Sequence, residues 1–133
     1  MKQFLTLALC LFAICTQAQP IPVFTGFNLN LGGSKNSKPQ NFAKLGNKFV
    51  FSAFTDANGT ELWISDGTVA GTKLLKDINP GTGHSFPYRL TPLGSNVVFV
   101  ATDDTHGAEY WVTDGTEAGT QMLKDINPGV SSV

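Results

Sequence analysis

"ELWISDGTVAGTKLLKDINPG" occupies Glu61 to Gly81, and 48 positions later "EYWVTDGTEAGTQMLKDINPG" occupies Glu109 to Gly129. Of the 21 paired positions, 15 are identical. The same register extends upstream without a gap, so that Gly33 to Gly81 aligns with Gly81 to Gly129 and 25 of 49 pairs match. Ser37 meets Ser85, Pro39 meets Pro87, Leu45-Gly46 meets Leu93-Gly94, and Phe51 and Ala53 meet Phe99 and Ala101. A period in the forties with strand-like segments predicts propeller-type sheets rather than a helical solenoid.

Within a unit the residues predict four short strands, at about Lys73 to Ile78, Tyr88 to Pro92, Asn96 to Thr102 and Glu109 to Thr113. Turn chemistry separates them: Asn79-Pro80-Gly81, Gly94-Ser95-Asn96, Asp103 to Gly107, and Asp114-Gly115-Thr116. No window carries the 3.6-residue apolar spacing of an amphipathic helix. The segments "FVFSAF" (Phe49 to Phe54) and "VVFVA" (Val97 to Ala101) lack polar alternation, so both faces of these strands need cover. On the last strand Leu62 and Ile64 point one way and Trp63 the other, an arrangement repeated by Tyr110, Val112 and Trp111. Identical placement in each unit assigns the tryptophans to contacts between neighbouring sheets rather than to a ligand. The expected fold is all-β: a partial β-propeller of about two four-stranded antiparallel blades with partial flanking units.

With those residues in place, the chain resembles the ELWxxDGT repeat family of large secreted bacterial proteins, whose tandem units resemble propeller blades. The likeness runs from about Gly26 to the last residue. Tyr110 stands where the motif has leucine, and the family's usual length and C-terminal sorting domain are not matched.

The turns carry most of the shared letters. Asp66-Gly67-Thr68 and Asp114-Gly115-Thr116 combine a backbone-capping carboxylate, a residue free to adopt positive φ and a return to extended geometry. Gly71-Thr72 and Gly119-Thr120 repeat the device, so "DGTxAGT" reads as the connection from the last strand of one blade to the first of the next. An aspartate copied into every unit has no unique pocket and no dedicated proton-transfer partner, which argues for turns over catalysis.

Asp56, Asn58 and Glu61 offer oxygen ligands at near-alternate positions, a weak calcium candidate. The second copy, with His106 opposite Asn58, fits a plain hairpin tip better. His84 and His106 are too isolated for a zinc site and read as solvent-facing. Asn58-Gly59-Thr60 matches a glycosylation sequon and reads as turn chemistry. Gly32-Gly33 lacks the strand and helix context of a phosphate loop. No catalytic residue and no cofactor is expected.

The N-terminus supplies the address. Lys2, an apolar run from Phe4 to Cys15 and Thr16-Gln17-Ala18 compose a secretory signal peptide, with cleavage expected between Ala18 and Gln19. The run is too short to span a membrane. Both cysteines, Cys10 and Cys15, fall in that leader, so disulfides and thiolate metal sites are not expected in the exported chain. The formal charge of −1 gives no footprint for nucleic acid. Lys35, Lys38, Lys44 and Lys48 make the segment before Thr60 basic, which reads as scattered solvated lysines. The expected organisation is 1–18 signal peptide, 19–32 end of a diverged repeat, 33–81 and 82–129 two repeat units, and 130–133 the start of a truncated one.

These readings converge on an exported, non-enzymatic repeat scaffold presenting loops to an extracellular glycan or protein, drawn from a longer propeller. Its other expected partners are further repeats or other copies of the chain. The alternative is the accessory or catalytic propeller of a secreted polysaccharide-degrading enzyme. In that case a carboxylate found in one unit only, Asp103 opposite Thr55 or Glu117 opposite Val69, would be the acid.

Overall fold

The computed structural model describes residues 35–126 together with Pro128 and Gly129. Several sequence expectations fall elsewhere. The signal peptide with Cys10 and Cys15 lies outside the described residues, and so do both sides of the expected cleavage site, Ala18 and Gln19. The 19–32 segment that begins at Gln19, Gly32-Gly33 and residues 130–133 also lie outside them.

The described chain is all-β, with two four-stranded antiparallel sheets and no helix. The first sheet runs β1 (Gln40–Leu45), β2 (Lys48–Thr55), β3 (Gly59–Ser65), β4 (Lys73–Lys76), each strand beside the next. The second runs β5 (Tyr88–Leu93), β6 (Asn96–Asp103), β7 (Gly107–Thr113), β8 (Gln121–Lys124) in the same order. Each strand of the second sheet starts 48 residues after its counterpart in the first.

Even the irregularities recur. β1 and β5 both slip register against the next strand, between Gln40 and Ala43 and between Tyr88 and Thr91. In each slip sits a residue with positive φ, Asn41 at 56° and Arg89 at 53°. A bulge of this kind bends the strand and increases its twist.

One expectation is overturned. The segment from Lys73 does not open the following sheet; β4 closes its own, pairing with β3 through Trp63↔Leu74 and Ile64↔Lys73. "DGTxAGT" is therefore the β3–β4 turn, and the link between sheets is the stretch 77–87. The compact turn returns the chain alongside the strand it has just left, which leaves Leu75 and Ile78 in the core and Leu74 against the Trp63 side.

The two faces of each sheet differ. In the first, Val50, Leu62, Ile64 and Leu75 look toward the second sheet, where Val97, Phe99, Ala101 and Trp111 meet them in one buried cluster. Phe51, Ala53 and Trp63, the counterparts of Phe99, Ala101 and Trp111, form a separate cluster on the opposite face. Thus the sheets stack with both pointing the same way. The seam is closed at the second DGT turn, where Gly115, at φ 89°, leaves room for Leu45 and Ile64; a Cβ there would approach the Leu45 side chain to 2.9 Å.

The tryptophan assignment is met by one of the pair. Trp111, 7% exposed, packs in the seam, whereas Trp63, 9% exposed, is buried on the face turned away from the second sheet. Phe42 covers part of that face by stacking on Phe51 with centroids 5.0 Å apart. The outward face of the second sheet carries Tyr110, 45% exposed, and is more open.

Removing a buried tryptophan costs ~3–5 kcal/mol, whereas a half-exposed side chain away from such features costs well under that. Trp111→Ala is therefore expected to lower the urea-unfolding free energy by about 3–5 kcal/mol. Tyr110→Ala, one residue earlier on the open face, is expected to lower it by less than ~1 kcal/mol. Equal effects of the two substitutions would contradict the seam.

Candidate functional site

The seam is fixed by one buried carboxylate. Glu61 lies near the start of β3 with no exposed surface. The backbone N–H of Ile78 donates to it at 2.8 Å, and Ser85 donates through its N–H at 2.9 Å and its hydroxyl at 2.6 Å; a longer bond of 3.4 Å comes from the Asn79 N–H. Ser85 also donates its N–H to the Thr60 carbonyl, while its own carbonyl accepts from Thr102 of the second sheet. One carboxylate and one serine thus tie β3, the link and β6 together. At the tip of the preceding hairpin Gly59 has φ 67°, and a Cβ there would overlap the Gly83 carbonyl, so the link presses directly on backbone.

The two DGT turns are duplicates bond for bond. Asp66 accepts from the Thr68 N–H and hydroxyl at 2.9 and 2.7 Å; Asp114 accepts from the Thr116 pair at 2.8 and 2.7 Å. The Gly71 and Gly119 N–H groups donate to the Thr68 and Thr116 hydroxyls at 2.9 Å each. Thr72 and Thr120 donate to the Thr68 and Thr116 carbonyls. Both glycines are required by crowding, since a Cβ would overlap the Asp66 or Asp114 carboxyl. The threonine hydrogen bonds hold both carboxyls below the usual range. Both aspartates are exposed and fully engaged by their own turn.

The other candidates do not assemble. Glu61 faces the link, while Asn58 bonds to Thr55 and to Asp77 and Asp56 stays on the exposed hairpin tip. Among the described residues no group of three His, Cys, Asp or Glu is placed to hold a metal ion. Asp103 caps the β6–β7 hairpin, accepting from Thr105 N–H at 2.8 Å and from His106. Glu117 sits in the β7–β8 turn, at the other end of β7. His106 is engaged rather than simply solvent-facing, with Nδ1 2.9 Å from Asp103. That bond raises the His106 pKa; at Asp103 burial pushes up, but the His106 and Thr105 hydrogen bonds outweigh it and the carboxyl is lowered.

A different set of residues, Lys35, Asn36, Lys38, Gln40, Phe54, Thr60, His84 and Phe86, lines a groove of ≈ 510 Å³. Three rings stack through it. His84 lies 4.9 Å from Phe86 at an interplanar angle of 7°, and 5.9 Å from Phe54 at 17°. Lys35 Nζ stands 5.2 Å from the Phe54 centroid. The expectation of a solvent-facing His84 is corrected: it is half-buried between two phenylalanines, and its Nδ1 accepts the Thr60 backbone N–H at 3.0 Å. An Nδ1 that accepts leaves the ring proton of a neutral imidazole on Nε2. Phe86 is 57% exposed and holds φ 45°, a left-handed backbone that a bulky residue adopts only when its surroundings impose it.

Sequence reasoning passed over this groove because it weighed the positions at which the copies agree. Six lining positions have counterparts 48 residues on, and all six differ: Lys35/Gly83, Asn36/His84, Lys38/Phe86, Gln40/Tyr88, Phe54/Thr102 and Thr60/Ala108. None of the lining positions is repeated. Comparison of the chain with protein families, with curated proteins and with solved structures finds no match.

The buried clamp gives a pH signature. Burial pushes the Glu61 carboxyl up to about 7 from an ordinary 4.5, against the pull of the Ser85, Ile78 and Asn79 hydrogen bonds. The folded chain then holds this proton to higher pH than the unfolded chain, so stability falls as pH rises from about 4.5 to about 7. The melting temperature is expected to decline across that window in the native protein. In Glu61→Gln the curve should start lower, because one donor loses its acceptor, and should lose that decline; an unchanged slope would remove Glu61 as its source.

Proposed function

We propose that the protein is an exported, non-enzymatic repeat scaffold, built of stacked propeller-like blades, that binds an extracellular or cell-surface glycan or protein. What carries the reading is the division of labour between repeated and unrepeated residues. Those shared by both copies, among them Trp111, Glu61 and the Asp66 and Asp114 turns, are occupied with packing and backbone capping. Those peculiar to one copy line an open, ring-stacked groove next to the seam. Among the described residues no carboxylate lines that groove, and the two candidate acids, Asp103 and Glu117, lie at opposite ends of β7, an arrangement that does not favour paired acid–base hydrolysis of a glycan. The apolar leader in the sequence supports export.

Repeat symmetry also suggests what covers the outward face of the second sheet. Val98, Tyr110 and Val112 occupy the positions of Val50, Leu62 and Ile64, which in the first sheet receive Phe99 and Trp111. The proposed occupant is a further unit of the same repeat, supplied by a longer array or by another copy of the chain.

Two measurements test the reading. A glycan array and a pull-down with the full chain are expected to retain a defined glycan or extracellular protein. Hydrolysis of a polysaccharide panel that disappears in Asp103→Asn would replace it with the glycan-degrading enzyme. Size-exclusion chromatography with light scattering is expected to show a discrete multimer that Tyr110→Lys shifts to the monomer; a monomer at all concentrations in both proteins would remove the copy-to-copy contact.

A further inference from the structure

The geometry points to the Phe54–His84–Phe86 groove as a subsite for a carboxylate-bearing sugar ring, a uronic acid unit of an acidic polysaccharide. The inference rests on the scaffold reading above and narrows it to one ligand class.

The rings supply the first half of the argument. Phe54, His84 and Phe86 form a face-to-face stack whose outermost member, Phe86, is exposed and offers a flat apolar face with an electron-rich surface. A pyranose presents a flat face of C–H groups of matching size, with polar edges left free for hydrogen bonds. Around the platform stand short polar groups suited to hydroxyls, namely Asn36, Gln40, Thr60 and the Nε2–H of a neutral His84. A few placed polar groups beside an apolar wall is the ordinary composition of a small-ligand site.

The charge supplies the second half. Among the described residues Lys35 and Lys38 line the groove and no Asp or Glu does, in a chain whose formal charge is −1. A local positive field on an otherwise acidic protein selects an anionic ligand, and two lysines match one or two carboxylates. Stacking alone would serve a nucleobase equally well. A nucleic acid, however, needs a basic track along its backbone, whereas this groove carries two lysines and the chain has pI ≈ 6.0.

Backbone strain fits the same reading. Lys38 at φ 41° and Phe86 at φ 45° are aligned 48 residues apart, so both copies turn the backbone the same way at this point. The first copy spends that turn on a cation and the second on a ring, and the fold brings the two to one groove. Residues held in sparsely populated φ/ψ space gather at ligand-binding positions.

The test is titration calorimetry of the full chain with trigalacturonate, the neutral galactotriose, a sulfated galactotriose and a thymidine oligonucleotide. Trigalacturonate is expected to bind at least about tenfold more tightly than the neutral trimer, and to weaken as salt rises. Phe86→Ala, at an exposed position that leaves the core intact, should weaken it about tenfold or more. The Lys35→Gln, Lys38→Gln double variant should bring the acidic trimer down to the affinity of the neutral one. Equal binding by Phe86→Ala, or equal or tighter binding of the sulfated trimer or of the oligonucleotide, overturns the assignment. Failure of trigalacturonate with retention of a neutral glycan or a protein removes this inference and leaves the scaffold; silence of the whole array removes both, and cleavage of the trimer removes the non-enzymatic reading.

Discussion

Each of these sheets is apolar on both faces, and that constraint governs the rest of the structure. A four-stranded sheet with one wet face stabilises itself against a single partner, but Phe51 and Trp63 on one side and Val50, Leu62 and Ile64 on the other demand cover twice. Within the described residues one of those demands is met by the second sheet. The burial is generic in chemistry and specific in shape, since large rings from β6 and β7 enter between branched side chains of β2 and β3.

Apolar contact alone would let one sheet slide over the other. The polar clamp removes that freedom. A carboxylate taken out of water has to find donors, and Glu61 finds them in the link, so the chain between the sheets is held at Ile78 and Ser85 rather than left as a loose loop. Through the Ser85 carbonyl the same residue reaches β6. The groove then follows as a by-product of position: His84 sits one residue before the clamp and Phe86 one after, so fixing Ser85 fixes the ring pair.

Much of the architecture was legible in the sequence. Strand-like segments bounded by Gly, Asn and Asp located most of the strands, and the unrelieved apolar runs at Phe49 and Val97 announced sheets that are apolar on both sides. The placement of Lys73 to Lys76 was not legible, because a short strand after a tight turn has the same letters whether it returns to its own sheet or starts the next. Only the pairing of Leu74 with Trp63 distinguishes the two. The candidate site was harder still. Lys35, Phe54 and His84 are far apart in the chain, none points to a shared site by itself, and self-alignment draws the eye to Asp66 and Asp114, whose hydrogen bonds are spent on their own turns.

Because both sheets point the same way, the described stack is polar: its two ends are chemically unlike. One ends in the Phe51 and Trp63 surface under Phe42, the other in Tyr110 and its neighbours. If further units of the same repeat cover these ends, as proposed, they continue the stack head to tail, and a molecule that stoppers one terminus would leave the other free. The polarity also makes sister substitutions inequivalent: altering Trp63 touches an extremity, whereas altering Trp111 severs the middle.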